Sequence, residues 1–495
     1  MRFIKFIFFT ALLIFLTALA PAATIQPLET SPIVSRDPDG TLGVARKDGT
    51  PINGLKLSQY DALIQTPGLA VASDGTIHLA FIEQQAASPF VSFVFHRQST
   101  DGGKTWSDPK NLSEDMPSVQ VGFSSIMIDS SDRVYVIWRT GLDQYTGPRI
   151  GQNINLVYRV LDHGKWSKIL PINQPATPAT YNSGAIFPFA VIDAAGHAQV
   201  IWNSDPNTFL PAQVQANGHS FSLPDIGNGL VFQATLDGTA HAAPRQIYMA
   251  ALSTNAAFGE YGKICDDYGV LDGYADANGA AHFIALVRPM RGGDNTSHFN
   301  LFEDGKQTPA VSLPSSYMET WGNPPKLLVD AQGRRHIIAF YTAGEHPSFR
   351  DYLVGSDDEP TVILAAKPPG TCMGFQAWQG TGGRMAVVMQ TTERGYNDSG
   401  DTWLTTSDGT KWSPLVCVTD NAARARWVAK QRGSNLLVAT GAHYGPGPGA
   451  MAFDKDGHVL LALINVKTGS FALANGGVTY AGGSTATPML FFYKF

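Results

Sequence analysis

The side chains best suited to chemistry in this chain stand directly after short apolar runs or in the loops between them. Four are arginines, Arg139, Arg288, Arg291 and Arg394. A guanidinium is a planar fork of N–H donors that can hold a carboxylate through two parallel hydrogen bonds, so the set suits an anionic sugar. Arg139 follows the apolar run at 134–138 and precedes a polar stretch at 140–145, which would aim its fork into the mouth of a face where such loops converge. Groups able to move protons accompany them: His443 beside Tyr444 is an acid/base pair, and Glu393 adjoins Arg394. Tyr444, His443 and Glu393 are therefore the catalytic candidates, and Arg139, Arg288, Arg394, Arg291 and Tyr341 the substrate-binding ones.

No H-E-x-x-H, cysteine–histidine or D-x-[DN]-x-[DN]-G spacing occurs, so neither a metal nor a cofactor is expected. The proline-rich tract at 445–449 lacks the N–H groups that a phosphate needs. His78, His282, His336 and His458 lie in or beside repeated apolar strands and are expected to be structural.

Residues so far apart can meet only if a repeated scaffold brings their loops to one face. One pattern recurs: an apolar strand, an aspartate, a short turn usually holding glycine, and a second apolar strand. It occurs around Asp74, Asp129, Asp193, Asp276, Asp330 and Asp454, with a copy lacking the aspartate from Phe375. The carboxylate can cap turn N–H groups while glycine supplies positive φ. A second pattern, strand then Asp-Gly turn then Trp, follows several copies. Two hairpins per unit at roughly 50 to 80 residues make a four-stranded propeller blade. The expected fold is an all-β propeller of seven blades, or six if the Phe375 unit or the last one belongs to a neighbour. Closure is expected from strand 489–495 pairing with residues around 33–45.

Composition agrees with many short strands, since 50 glycines and 31 prolines punctuate the chain. Three cysteines, Cys265, Cys372 and Cys417, cannot form a disulfide framework. A net charge of -6 with 15% charged residues leaves no basic footprint for nucleic acid. Residues 1–22 read as a signal peptide, with Arg2 and Lys5 ahead of an apolar run shorter than the roughly 20 residues of a bilayer span. Residues 23–495 would then be one propeller domain, secreted or periplasmic, monomeric, with no membrane span.

The octapeptide from Ser99 to Trp106 reads S-x-D-x-G-x-T-W, with degenerate copies at 161–166 and 406–412. It resembles the Asp box, the bacterial neuraminidase repeat of sialidases and many other secreted propellers. The resemblance implies that Ser99, Asp101, Gly103, Thr105 and Trp106 lock a hairpin on the outer rim and are structural. For a sialidase it further implies three arginines on the substrate carboxylate, a tyrosine nucleophile activated by glutamate, and an aspartate acid/base. The early R-I-P motif of that family has no counterpart here. The D-x-x-G hairpins also resemble those of seven-bladed secreted propellers that include ulvan-type polysaccharide lyases, whose implied chemistry is a His and Tyr acid/base set with an arginine neutralising the uronate carboxylate. Their histidine motif is absent from 58–63. Two kinds of function stay open: a sialidase-like hydrolase or polysaccharide lyase acting on an acidic glycan, or a non-catalytic glycan-binding or protein-interaction propeller.

Overall fold

Each repeat starts from a hairpin that an aspartate closes. The computed structural model describes residues 32–36, 42–46, 55–56, 62–85, 92–103, 105–113, 124–141, 154–172, 185–204, 213–216, 219–222, 230–238, 245–249, 267–288, 298–303, 311–314, 325–341, 348–356, 360–365, 371–392, 401–417, 436–438, 450–466, 470–473, 478–480 and 488–494. Asp129 Oδ1 accepts the N–H groups of Ser131 and Arg133, each at 2.9 Å. The same two bonds, from residues two and four places on, recur at Asp193, Asp276, Asp330 and Asp454. One carboxylate thus satisfies two turn donors, and a glycine such as Gly196, at φ 89, takes the left-handed position.

Two hairpins depart from this pattern. In the first, Ala72 rather than Asp74 holds the anchor position, its N–H bonded to Thr76 O at 2.9 Å. Asp74 stands two places late and its Oδ1 accepts the Thr76 N–H at 2.8 Å. In the copy without aspartate, Gly380 is the anchor and the turn is a short 3-10 helix, Thr381–Gly383.

These hairpins supply the first two strands of seven antiparallel sheets. The first sheet runs Ala62–Val71, Ile77–Gln85, Ser92–Ser99, Lys110–Asn111. The second runs Ser124–Ile128, Val134–Gly141, Ile154–Asp162, with Lys165–Trp166 and Leu170–Pro171 both paired to its third strand. The third is Ala185–Ile192, Ala198–Ser204, Leu230–Leu236, Arg245–Met249, and the fourth Asp267–Ala275, Ala281–Arg288, His298–Glu303, Val311–Pro314. The fifth is Lys326–Val329, Arg335–Tyr341, Ser348–Leu353, Thr361–Ala365, and the sixth, built on the weak Phe375 repeat, Thr371–Gln379, Met385–Thr392, Asp401–Ser407, Val416–Cys417. The seventh is Ala450–Phe453, Val459–Val466, Pro488–Lys494, Leu55–Lys56.

The first strand of each sheet packs against that of the next, and the seventh against the first. A closed series of four-stranded antiparallel sheets joined through their first strands is a β-propeller. Closure differs from expectation. Pro488–Lys494 pairs with Leu55–Lys56, while Pro32–Arg36 and Leu42–Arg46 form a hairpin of their own. The C-terminal strand is paired on its other edge with Val459–Val466, and Leu55 and Lys56 pair with Leu490 and Met489 on the outer one.

The core lies between the sheets. In the second sheet Val134, Val136 and Trp138 pack toward Ala80, Ile82 and Val94 of the first. Tyr135 and Ile137, on the other side of the same strand, pack toward Ala198, Val200 and Trp202 of the third. Burial on both sides explains why these strands read as unbroken apolar runs, each fully buried large side chain contributing roughly 1.5–3 kcal/mol. Ala452 and Leu460 of the seventh sheet pack with Leu69, Leu79 and Phe81 of the first, so the closure has a core as well. The inner strands approach closely: a Cβ on Gly273 would lie 2.3 Å from His282 O and 2.6 Å from Phe189 Cζ.

Candidate functional site

The two faces of the ring differ in how their polar groups are used. On the hairpin face many of them bond to one another. The residue six places after the anchor reaches back to its carboxylate: Tyr135 donates to Asp129 at 3.0 Å, Gln199 to Asp193 at 2.9 Å, and His336 Nε2 lies 3.2 Å from Asp330. Burial alone would raise these carboxyls, yet the turn N–H groups and side-chain donors hold Asp129, Asp193 and Asp330 below the ordinary carboxylate range. Further bonds cross between sheets, from Ser130 N–H to Gly196 O at 3.0 Å, Arg133 to Asp237 O at 2.8 Å and Arg334 to Gly409 O at 2.6 Å.

The octapeptide closes the turn between the third and fourth strands of the first sheet, at this same end. Asp101 accepts the Thr105 N–H at 2.9 Å and the Thr105 hydroxyl at 2.6 Å, and Ser99 Oγ donates to it at 2.8 Å. Gly103 N–H donates to Ser99 Oγ, and Trp106 Nε1 to Gly103 O at 3.2 Å. Every one of its named side chains is engaged in holding the turn.

Two histidines at the six-place position are buried in unlike surroundings. His78 Nδ1 lies 3.0 Å from His96 Nε2, and burial pulls their pKa values down to about 4 and about 3. His336 Nδ1 lies 3.0 Å from Asp351 Oδ1 while Nε2 faces Asp330; burial opposes its charge, but the two carboxylates raise its pKa above the ordinary value. His458 is bonded to its own anchor, Asp454, at 3.0 Å.

The opposite rim is formed by the far ends of the second strands. Arg139 lies inside the strand Val134–Gly141, paired with Leu156, rather than after it. By the alternation of the strand it shares a side with Tyr135 and Ile137, toward the third sheet. Its Nε is buried and has no hydrogen-bond partner, and burial lowers its pKa from the usual arginine value. Tyr341 ends the second strand of the fifth sheet, with the Arg350 guanidinium 5.1 Å from its ring centroid. Arg350 is held in place by its Nε–H bond to Ser348 Oγ at 2.8 Å. Arg288 ends the second strand of the fourth sheet. These three candidates therefore share one rim but belong to the second, fourth and fifth sheets. Tyr444, His443, Glu393, Arg394 and Arg291 lie outside the described residues.

The sequence reading missed two groups on or near this rim. Arg350 belongs to a third strand, where no loop position singles it out. Trp202, fully buried in the third sheet, carries an indole N–H without a partner, as does Trp138 in the second. Their shared Ile-Trp ending was visible in the sequence but is indistinguishable there from ordinary core.

No helix among the described residues is long and apolar enough to cross a membrane. No family model and no curated protein matches the chain. Among solved structures it is similar to the α-L-arabinanase of Penicillium chrysogenum complexed with arabinobiose, at 10% identity and a TM-score of 0.41 over 95% of this chain and 98% of that one. It is similar to an ulvan lyase at 10% identity and a TM-score of 0.40, covering 77% and 93%. It is similar also to the β-propeller domain of the trilobed protease of Pyrococcus furiosus, at 12% identity and a TM-score of 0.39, covering 80% and 97%. This chain is a β-propeller by the order and closure of its own sheets.

Proposed function

We propose that this propeller acts on an acidic glycan, whose anionic group is drawn to Arg139 on the rim opposite the aspartate hairpins. The observation behind this reading is a buried guanidinium Nε with no acceptor. Desolvating a cation is costly unless an anion joins it, so an arginine so placed favours an anionic ligand over a neutral one. In a lyase the arginine would neutralise the uronate carboxylate while a base removes the adjacent proton. In a sialidase-like hydrolase it would clamp the carboxylate of the sugar being released. His443, Tyr444 and Glu393 remain the proposed acid/base groups, with Arg288, Arg291, Arg394 and Tyr341 as further contacts. The octapeptide is assigned as an Asp box that holds its turn, and residues 1–22 as an export signal.

The test is a panel of sialosides and uronate polysaccharides, following reducing ends and the absorbance of unsaturated products, with wild type and Arg139→Ala. The expected result is turnover of an acidic substrate that falls roughly 100-fold in the variant, the order of a lost charge-paired contact of about 3 kcal/mol. Turnover indifferent to Arg139, or turnover of neutral glycans only, would overturn the reading. Binding of acidic glycan without turnover would make the chain a glycan-binding propeller.

A further inference from the structure

Resting on that proposed function, we infer that the anionic group is held by two donors from two neighbouring sheets, Arg139 of the second and the indole N–H of Trp202 of the third. Trp202 is 0% exposed, its ring stacks on Phe232 at 6.0 Å between centroids, and its Nε1 has no partner. It packs in the layer between the second and third sheets that also holds Ile137 and Leu156. Leu156 is the cross-strand neighbour of Arg139. Counted from their anchors, Trp202 is nine places after Asp193 and Arg139 ten places after Asp129, so both stand at the rim end of that one layer.

Packing alone does not call for an indole here. The corresponding position is Phe81 in the first sheet, Ala285 in the fourth, Ala339 in the fifth and Met389 in the sixth, all buried and apolar; in the second it is Trp138, also an unpartnered indole, but its layer holds Ile82 where this one holds Arg139. Buried polar groups are ordinarily paired, and an orphaned donor is costly unless something arrives to accept from it. Arginine and indole N–H groups donate and cannot accept. The complementary ligand is therefore acceptor-only, a carboxylate or a sulfate, and not a cation or a neutral hydroxyl cluster. Both chemistries occur on acidic glycans, as a uronate or as a sulfate ester.

Calorimetric titration of the purified protein with three oligosaccharides separates the sources: a uronate oligomer without sulfate, a sulfated oligomer without uronate, and a neutral one. Wild type should bind one or both acidic oligomers and not the neutral one. Trp202→Phe keeps a six-membered aromatic ring but removes the pyrrole N–H with part of the buried indole; it should weaken acidic binding about 10-fold, the order of a hydrogen bond to a charged group, with Arg139→Ala weakening it further. The unliganded Trp202→Phe protein should still unfold in one cooperative transition, somewhat below wild type, since part of a buried ring is lost. Acidic binding unchanged in Trp202→Phe but lost in Arg139→Ala would overturn the two-donor site and leave the proposed function standing. Acidic binding indifferent to both would overturn both donors' roles. Absence of acidic binding would overturn this inference together with the proposed function.

Discussion

The first and fifth sheets place a histidine at the same point of the repeat, six residues after the anchor, and give it opposite affinities for a proton. His78 faces His96, whose ring centroid lies 4.9 Å from that of Trp166 of the next sheet, with the ring planes at 70°. His336 faces Asp351, with Trp412 of the next sheet donating to that carboxylate at 2.9 Å. His96 and Asp351 are equivalent, each lying across from the residue eight places after the anchor, Ala80 or Ile338. The scaffold is the same down to the tryptophan; the carboxylates differ. Ala72 stands where Asp330 stands, and His96 where Asp351 stands. Without them burial prevails and the pair is neutral, one ring donating to the other. With them the pKa of His336 is raised, and Asp351, held by His336, accepts the indole N–H of Trp412 from the next sheet. The repeat therefore fixes geometry, while one or two positions decide charge.

The comparison can be broken most forcefully at Asp330, which answers two turn N–H groups, Arg334 and His336. Asp330→Ala leaves two turn N–H groups, the Arg334 guanidinium and one ring nitrogen of the buried His336 without their acceptor and should cost about 3–5 kcal/mol in urea unfolding. A loss below about 1 kcal/mol would mean that the cluster is not a lock.

Next in size is the response to pH. His78 and His96 have lowered pKa values, so their contribution is fully present above the unfolded value near 6.5 and is lost as pH falls toward about 4 and about 3. Stability should fall by up to roughly 1.4 kcal/mol per pH unit for each histidine over that range. His336 has a raised pKa, so its contribution is present below the unfolded value and is lost as pH rises through the folded one. Replacing His78 and His96 together by Gln should flatten the acid limb of the stability profile, and His336→Gln the alkaline limb; exchanged effects would refute the assignment.

Ala72→Asp sharpens the comparison by restoring the missing anchor. It should raise the pKa of His78 measured by NMR titration and add about 1 kcal/mol through the turn N–H groups of Asp74 and Thr76. An unmoved His78 pKa would show that the anchor does not govern it. The smallest effect belongs to the octapeptide: Thr105→Val removes one hydroxyl bond to Asp101 and should cost about 1 kcal/mol with glycan turnover unchanged.

How far the sequence disclosed all this follows from what each feature depends on. Asp129, Asp193, Asp276, Asp330 and Asp454 were legible because an anchor aspartate and a left-handed turn residue are local requirements with a fixed spacing. Asp74 misled because it caps the same turn from a position two residues later. The closing strand Leu55–Lys56 was not legible, since two residues carry no alternation and their pairing depends on an edge contributed by the far end of the chain. Arg139 could be chosen because it interrupts an apolar strand at its mouth. Trp202 could not, because only its surroundings distinguish an unpartnered indole from a packed one. The position of His336 in a strand suggested a structural role, but its raised pKa depends on Asp351, which lies in another strand.

The most direct test of the proposed site is a crystal structure of the protein with a bound acidic oligosaccharide. The account predicts a carboxylate or sulfate oxygen within hydrogen-bonding distance of Arg139, between the second and third sheets on the rim opposite the aspartate hairpins. An oligosaccharide bound instead on the hairpin face, or on the far rim with its anionic group turned away from Arg139, would contradict it.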